Sequence, residues 1–153
     1  HYSCVYSLSF WQDDFMENNE IDWKNLRIKA KEAAKMAYAP YSNFPVGAAG
    51  LTDSGAIVTG GNVENASIGL TLCAECGMVS DLHRKKAGKL IAAVASNPEG
   101  EALAPCGRCR QILIEAGGKE LIVDGPGGPK SIVDLLADPF TVDDLNDRDR
   151  IDP

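Results

Sequence analysis

No stretch of this chain is apolar for long enough to cross a membrane as a helix, and nothing in it reads as a targeting address. Positive charge is also short: 15 Lys and Arg stand against 22 Asp and Glu, for a net charge of −7. Without a basic surplus to neutralise phosphates, nucleic acid is disfavoured as a partner, and a small uncharged substrate is easier to accommodate. There is no internal repeat. Cysteine is scarce and odd in number, five in all, and four of the five form two tight pairs, Cys73-Ala74-Glu75-Cys76 and Cys106-Gly107-Arg108-Cys109. That spacing suits a metal better than a disulfide framework, and a reducing cytoplasm fits it best.

What is present suffices for one globular domain: 153 residues, 44% hydrophobic and 24% charged, can bury a core without disulfides. Residues 1–15 lack the basic start and long apolar stretch of a signal peptide and are read as an upstream appendage, with Cys4 a stray thiol. The domain is expected over residues 16–142, followed by an acidic tail, residues 143–153, that should fray. Asp22 is an expected N-cap for a helix carrying Leu26, Ala30, Ala33, Ala34 and Ala37, which Pro40 ends. Val46–Leu51 and Ile57–Val63 read as strands joined by a turn at Asp53-Ser54-Gly55.

Cys73 begins a second helical stretch, closed by the basic run Arg84-Lys85-Lys86 where cations favour the dipole; that run and His83 read as a solvated helix end. Leu90–Ala95 follows as a buried strand, and Cys106 opens a third helix ended by Gly117-Gly118. Glu120–Asp124 is a further strand, and Ser131–Leu136 a short helix. Alternating strands and helices imply crossovers, with helices covering a mixed sheet. Trp23 is expected to cap the core.

Both cysteine pairs fall where a loop becomes a helix, so their thiolates would meet unpaired N–H groups and the positive end of a dipole, and their pKa values should fall. The 29 residues between the pairs (77–105) exceed the roughly 15–20 of a zinc ribbon, so a sheet must bring the two helix starts together. Four cysteines would close a zinc site; three would leave a position for water, with Glu75 free to carry its proton. Three thiolates leave the zinc site at −1, which should acidify water less than three histidines would. Helical geometry favours Cys73 and Cys76 as co-ligands, because i and i+3 share a face and i+2 points away. The open reading therefore requires Cys73 at the helix start. Spacing alone leaves both open, with paired redox motifs a third and weaker reading.

Taken together, Cys73-Ala74-Glu75 and Pro105-Cys106-Gly107-Arg108-Cys109-Arg110-Gln111 strongly resemble the zinc deaminases, which join His-x-Glu or Cys-x-Glu to Pro-Cys-x-x-Cys. Cysteine at the first ligand position points to the small, homotetrameric cytidine deaminases. Tyr41-Ser42-Asn43-Phe44-Pro45-Val46-Gly47-Ala48-Ala49 and Gly61-Asn62-Val63-Glu64-Asn65-Ala66 extend the likeness to about residues 22–142. The resemblance implies an α/β fold, a three-layer α/β/α domain with a mixed, roughly five-stranded sheet. It implies one Zn2+ per subunit on Cys73, Cys106 and Cys109, and pyrimidine salvage in the cytoplasm by a homotetramer with neither nucleic-acid nor membrane partner.

The implied reaction is hydrolytic deamination of cytidine and deoxycytidine to uridine and deoxyuridine plus ammonia. A zinc-bound hydroxide would attack C4 while Glu75, the proton shuttle, protonates N3 and then passes a second proton to the departing amine. Asn62 and Glu64 match residues that bond the ribose hydroxyls, and as i and i+2 of one strand they share a face. Phe44 matches an aromatic beside the nucleoside, against the alternative of ordinary core packing. Backbone around Ala74 would read the base edge. Phe140 matches a residue that reaches a neighbouring subunit's site, or else anchors the last helix. Arg108 and Arg110 are open between pairing with thiolates and a surface role.

Two positions depart from the family pattern. Cys76 stands where many relatives carry an arginine that bonds the thiolates, so charge compensation must come from helix dipoles or another arginine, unless Cys76 is itself a fourth ligand. Ile68 stands where tyrosine is frequent. Two alternatives stay open: a non-catalytic module built on a closed Zn(Cys)4 site, and a related deaminase acting on a modified nucleoside.

Overall fold

The computed structural model describes residues 20–146; the expectations for residues 1–19 and 147–153 lie outside that range. The Asp22 carboxylate accepts from the Asn25 N–H at 2.9 Å and so starts α1 (Trp23–Ala34). The helix stops at Ala34, short of Pro40, because the chain turns to place Tyr38 in a bridge with Val63. Strands β1 (Gly47–Thr52) and β2 (Ile57–Gly61) form the expected hairpin, with Gly55 at a φ of 81° in its turn. The second strand ends at Gly61; Val63 continues only as isolated bridges to Tyr38 and Leu72.

Helix α2 (Ala74–Lys85) leads to β3 (Leu90–Ser96), then β4 (Ala102–Leu103), α3 (Gly107–Gly117), β5 (Ile122–Asp124), β6 (Lys130–Ser131), α4 (Ile132–Leu135) and α5 (Val142–Asn146). The sheet order is β2-β1-β3-β5-β6, with β4 paired to the end of β3. Only the β3–β5 pairing is parallel, so the sheet is mixed, with six strands among the described residues against the roughly five expected. The two strands that the sequence pattern did not place, β4 and β6, have two residues each, too few to show an alternation. α5 lies at the start of the segment expected to fray.

Alternating strand residues sort into two cores, as a period of two requires. Ala48, Ala93 and Ala95 pack with Met78, Leu82 and Leu113 from α2 and α3. Ala49, Ala92 and Val94 pack with Leu26 and Ala30 from α1, and Trp23 covers the edge of that cluster. Helix α1 thus covers one face, α2 and α3 the other, giving an α/β/α sandwich. Small strand residues let the helices come close. A Cβ on Gly60 would lie 2.2 Å from the Met78 amide nitrogen and 2.5 Å from the Ala74 carbonyl oxygen. This glycine therefore fixes the depth at which the first turns of α2 sit on the sheet.

Candidate metal centre and active site

Cys73 and Cys106 are the N-caps of α2 and α3, each in an extended conformation (φ −67°, ψ 158° and φ −66°, ψ 170°). Neither side chain caps its helix. A serine or aspartate there would stabilise each helix by about 1 kcal/mol, so a cysteine forgoes that and leaves its sulfur directed elsewhere. The two sulfurs lie 3.7 Å apart. The Cys109 sulfur, three residues along α3, joins them, and all three lie within 4.8 Å of one another. Because Cys73 precedes the helix, its side chain escapes the direction that would have paired it with Cys76. The Cys76 sulfur is outside the cluster.

The donor set fits zinc. Zn–S bonds of about 2.3 Å at tetrahedral angles put sulfurs roughly 3.8 Å apart, close to the observed Cys73–Cys106 separation. Charge makes the same point. Burial, then repulsion from the Glu75 carboxylate, pushes the Cys109 thiol well up. Burial also raises Cys73, while Cys106 is lowered: burial opposes this, but the backbone N–H and thiol of Cys109 and the thiol of Cys73 outweigh it. The expectation that the thiol pKa values fall thus holds for Cys106 and fails for Cys73 and Cys109, since the helix N-termini do not offset burial and crowding. Three thiolates this close call for a cation among them.

A cleft of about 300 Å3 opens beside the sulfurs, walled by Phe44, Val46, Asn62, Ala74, Glu75 and Leu103 among others. Glu75, the second residue of α2, is 6% exposed, and Ala74 is fully buried. Phe44 is 53% exposed on the cleft wall, which rules out the ordinary core role. The Asn62 side chain is buried and bridges the loop opposite, accepting from the Val46 N–H at 2.9 Å and donating to the Phe44 carbonyl at 3.1 Å. One N–H and one lone pair of that amide remain for a ligand.

Two predicted site residues stand apart from the cleft in this single chain. Glu64 is not on the cleft wall: its carboxylate accepts from the Tyr41 and Ser42 N–H groups at 2.9 and 3.2 Å and from the Ser42 hydroxyl. The Ser42 hydroxyl, against a smaller opposing effect of burial and helped by those N–H groups, holds Glu64 below the usual carboxylate range. Phe140 is 55% exposed and away from the cleft, its backbone clamped by Gln111, which donates to the Phe140 carbonyl at 2.6 Å and accepts from its N–H at 3.2 Å.

The arginines divide. Arg110 ties α3 to the Pro105 and Leu135 carbonyls (3.0 and 2.8 Å) and serves the scaffold. Arg108 reaches across to the start of α2, donating to the Thr71 carbonyl at 2.9 Å with the same nitrogen 3.6 Å from the Cys73 sulfur. Sequence reasoning left Arg108 undecided because its partner lies 35 residues away.

The chain matches the family described as the cytidine and deoxycytidylate deaminase zinc-binding region over residues 22–124. A cytidine deaminase of Mycobacterium tuberculosis (strain CDC 1551 / Oshkosh) is 54% identical over 126 residues, covering 82% of this chain and 95% of that relative. The crystal structure of cytidine deaminase from Mycobacterium tuberculosis superposes with a TM-score of 0.77 at 53% identity, over 80% of this chain and 99% of that one. A cytidine deaminase structure from Burkholderia pseudomallei gives a TM-score of 0.69 at 39% identity, over 78% and 100%.

Proposed function

Because the chain belongs to the cytidine and deoxycytidylate deaminase family, we propose that it hydrolyses cytidine and deoxycytidine to uridine and deoxyuridine, releasing ammonia. The observation that carries this reading is the three-sulfur cluster with Cys76 left out of it, opening on a cleft whose wall includes the buried carboxylate of Glu75. A fourth sulfur in the cluster would have favoured the closed structural site.

Cys73, Cys106 and Cys109 would hold one zinc ion per subunit. When bound, zinc would supply an acidified water as nucleophile, its pKa well below that of bulk water. Glu75 would accept the first proton of the water and give it to N3 of the base as the C4–O bond forms, then accept the second from the new C4 hydroxyl and give it to the amine as the C4–N bond breaks, so that water and cytidine leave as uridine and ammonia. Its place next to a ligand, outside the sulfur cluster, leaves it free to move protons. Phe44 packs on the nucleoside, backbone at Ala74 reads the base edge, and Asn62 takes a ribose hydroxyl with its spare amide capacity. Glu64 keeps one lone pair, on Oε1, beyond those used by Tyr41 and Ser42, and its negative charge disfavours a 5′-phosphate, hence nucleoside over nucleotide.

We take the active form to be a cytoplasmic homotetramer. Val63, Ile68, Leu70 and Leu72 are 50–74% exposed on the segment leading into Cys73, a contiguous stretch of chain that a second copy would cover. Phe140, exposed here, would reach a neighbouring site. Among the described residues no helix is long and apolar enough to cross a membrane.

The test is loss of cytidine ultraviolet absorbance with purified protein, repeated after chelation and zinc return, with deoxycytidine and dCMP as comparators. Chelator-sensitive turnover of both nucleosides, restored by zinc, is expected. Absent turnover sinks the reading, and faster turnover of dCMP overturns the nucleoside preference.

A further inference from the structure

Arg108 occupies the second position of α3, the place that Glu75 occupies in α2. A cation in a helix's first turn opposes the dipole, where an anion is favoured, and α3 has no acidic residue there to offset it. What meets the guanidinium instead is the rim of the sulfur cluster: the Cys73 sulfur at 3.6 Å and, from the same nitrogen, the Thr71 carbonyl at 2.9 Å. Thr71 lies two residues before the ligand and on the cleft wall, and its hydroxyl accepts from the Asn65 N–H at 3.3 Å. One side chain therefore joins the helix carrying two ligands to the loop carrying the third.

We infer that Arg108 is a positioning residue of the metal centre: its charge offsets the thiolate excess, and its hydrogen bond to Thr71 fixes the approach of Cys73. The inference rests on the zinc reading above. Zinc with three thiolates carries −1; one guanidinium beside Cys73 brings the assembly to neutral. Cys76 supplies no such charge, so α3 provides from across the interface what α2 lacks. Arginine suits both tasks, because its planar fork can face a sulfur and a carbonyl together while staying ionised.

Three variants separate charge from tether. Arg108→Ala removes both, Arg108→Gln keeps an N–H donor for Thr71 without charge, and Arg108→Lys keeps charge with poorer geometry. Zinc affinity is measured by competition with a chromophoric chelator, and the thiolate-to-cobalt charge-transfer band is recorded on cobalt-substituted protein. Partners of metal ligands commonly change affinity 10–100-fold, so Arg108→Ala and Arg108→Gln are expected to weaken zinc about tenfold or more. Both should move the cobalt band to longer wavelength, and Arg108→Lys should recover most of both effects. Affinity within about twofold of the parent in Arg108→Ala, an unmoved band, or Arg108→Gln behaving as the parent overturns the inference. The parent protein is the separate control: one zinc per chain with cytidine turnover upholds the site whatever the variants do, and no zinc binding sinks the site itself.

Discussion

The starts of α2 and α3 are built to one plan and used in two ways. Each helix has an extended cysteine as N-cap, a charged residue at its second position and a cysteine at its third. Yet the Cys109 sulfur joins the three-sulfur cluster and that of Cys76 does not. The difference is rotation. α2 buries Ala74, Met78 and Leu82, the first, fifth and ninth residues after its cap, whereas α3 buries Cys109, Leu113 and Gly117, the third, seventh and eleventh. A displacement of two positions is about 200° around a helix. α3 therefore turns its third position inward, and α2 turns its first two inward, which buries Ala74 and Glu75 and leaves Cys76 half-exposed. A Cys-x-x-Cys motif names candidate ligands, and the apolar stripe that follows decides which of them face the metal.

The hardest test of that contrast exchanges sulfur for oxygen at the equivalent positions. Cys109→Ser is expected to lose zinc and turnover together, by metal analysis after dialysis and the cytidine assay; full zinc retention would mean that the rotation argument is wrong. Next comes the second position. Glu75→Gln should keep one zinc per chain and lower kcat by about 10²–10⁴, the usual worth of a general acid–base group. Loss of zinc from that variant would make Glu75 a ligand.

A smaller effect is expected where the rotation of α2 is set. Gly60→Ala forces backbone against the Ala74–Met78 turn, at a cost of about 1–3 kcal/mol by denaturant melt, with weakened zinc affinity; an unchanged melt would show that α2 can shift freely. In chelated protein below pH 9, Cys106, exposed and lowered, should be alkylated before Cys109, buried and raised, and zinc should protect both. Equal rates would remove the asymmetry between cap and helix interior. Smallest of all is Cys76→Ser, expected to leave zinc content and kcat within about threefold. A loss matching that of Cys109→Ser would restore the four-cysteine site.

Much of this was legible in residues. Asp22 as a cap, Asp53-Ser54-Gly55 as a turn and the cysteines as helix starts are local statements, settled by neighbours within a few positions. The rotation of α2 against α3 could also have been read: Ala74, Met78 and Leu82 against Cys109, Leu113 and Gly117 is a phase visible in the sequence, and it favours Cys109 over Cys76. Other features were out of reach. β4 and β6 are held by the strands they pair with and have no pattern of their own. Glu64 looks like a free carboxylate on a strand until the fold brings Tyr41 and Ser42 against it.

The sequence by itself determined which elements form and which donors exist, because capping, turn chemistry and periodicity act over spans of a few residues. It set four candidate thiolates, one carboxylate and an arginine at defined places on two helices. Only the tertiary structure decided that Cys73 meets Cys106 across 33 positions at 3.7 Å, that Cys76 stays outside, and that Arg108 reaches back to Cys73. Those contacts depend on the depth and rotation at which α2 and α3 sit on the sheet. The phase of each helix is local, but the depth at which it sits and the neighbour it meets follow from packing against strands far away in the chain, which no local pattern encodes.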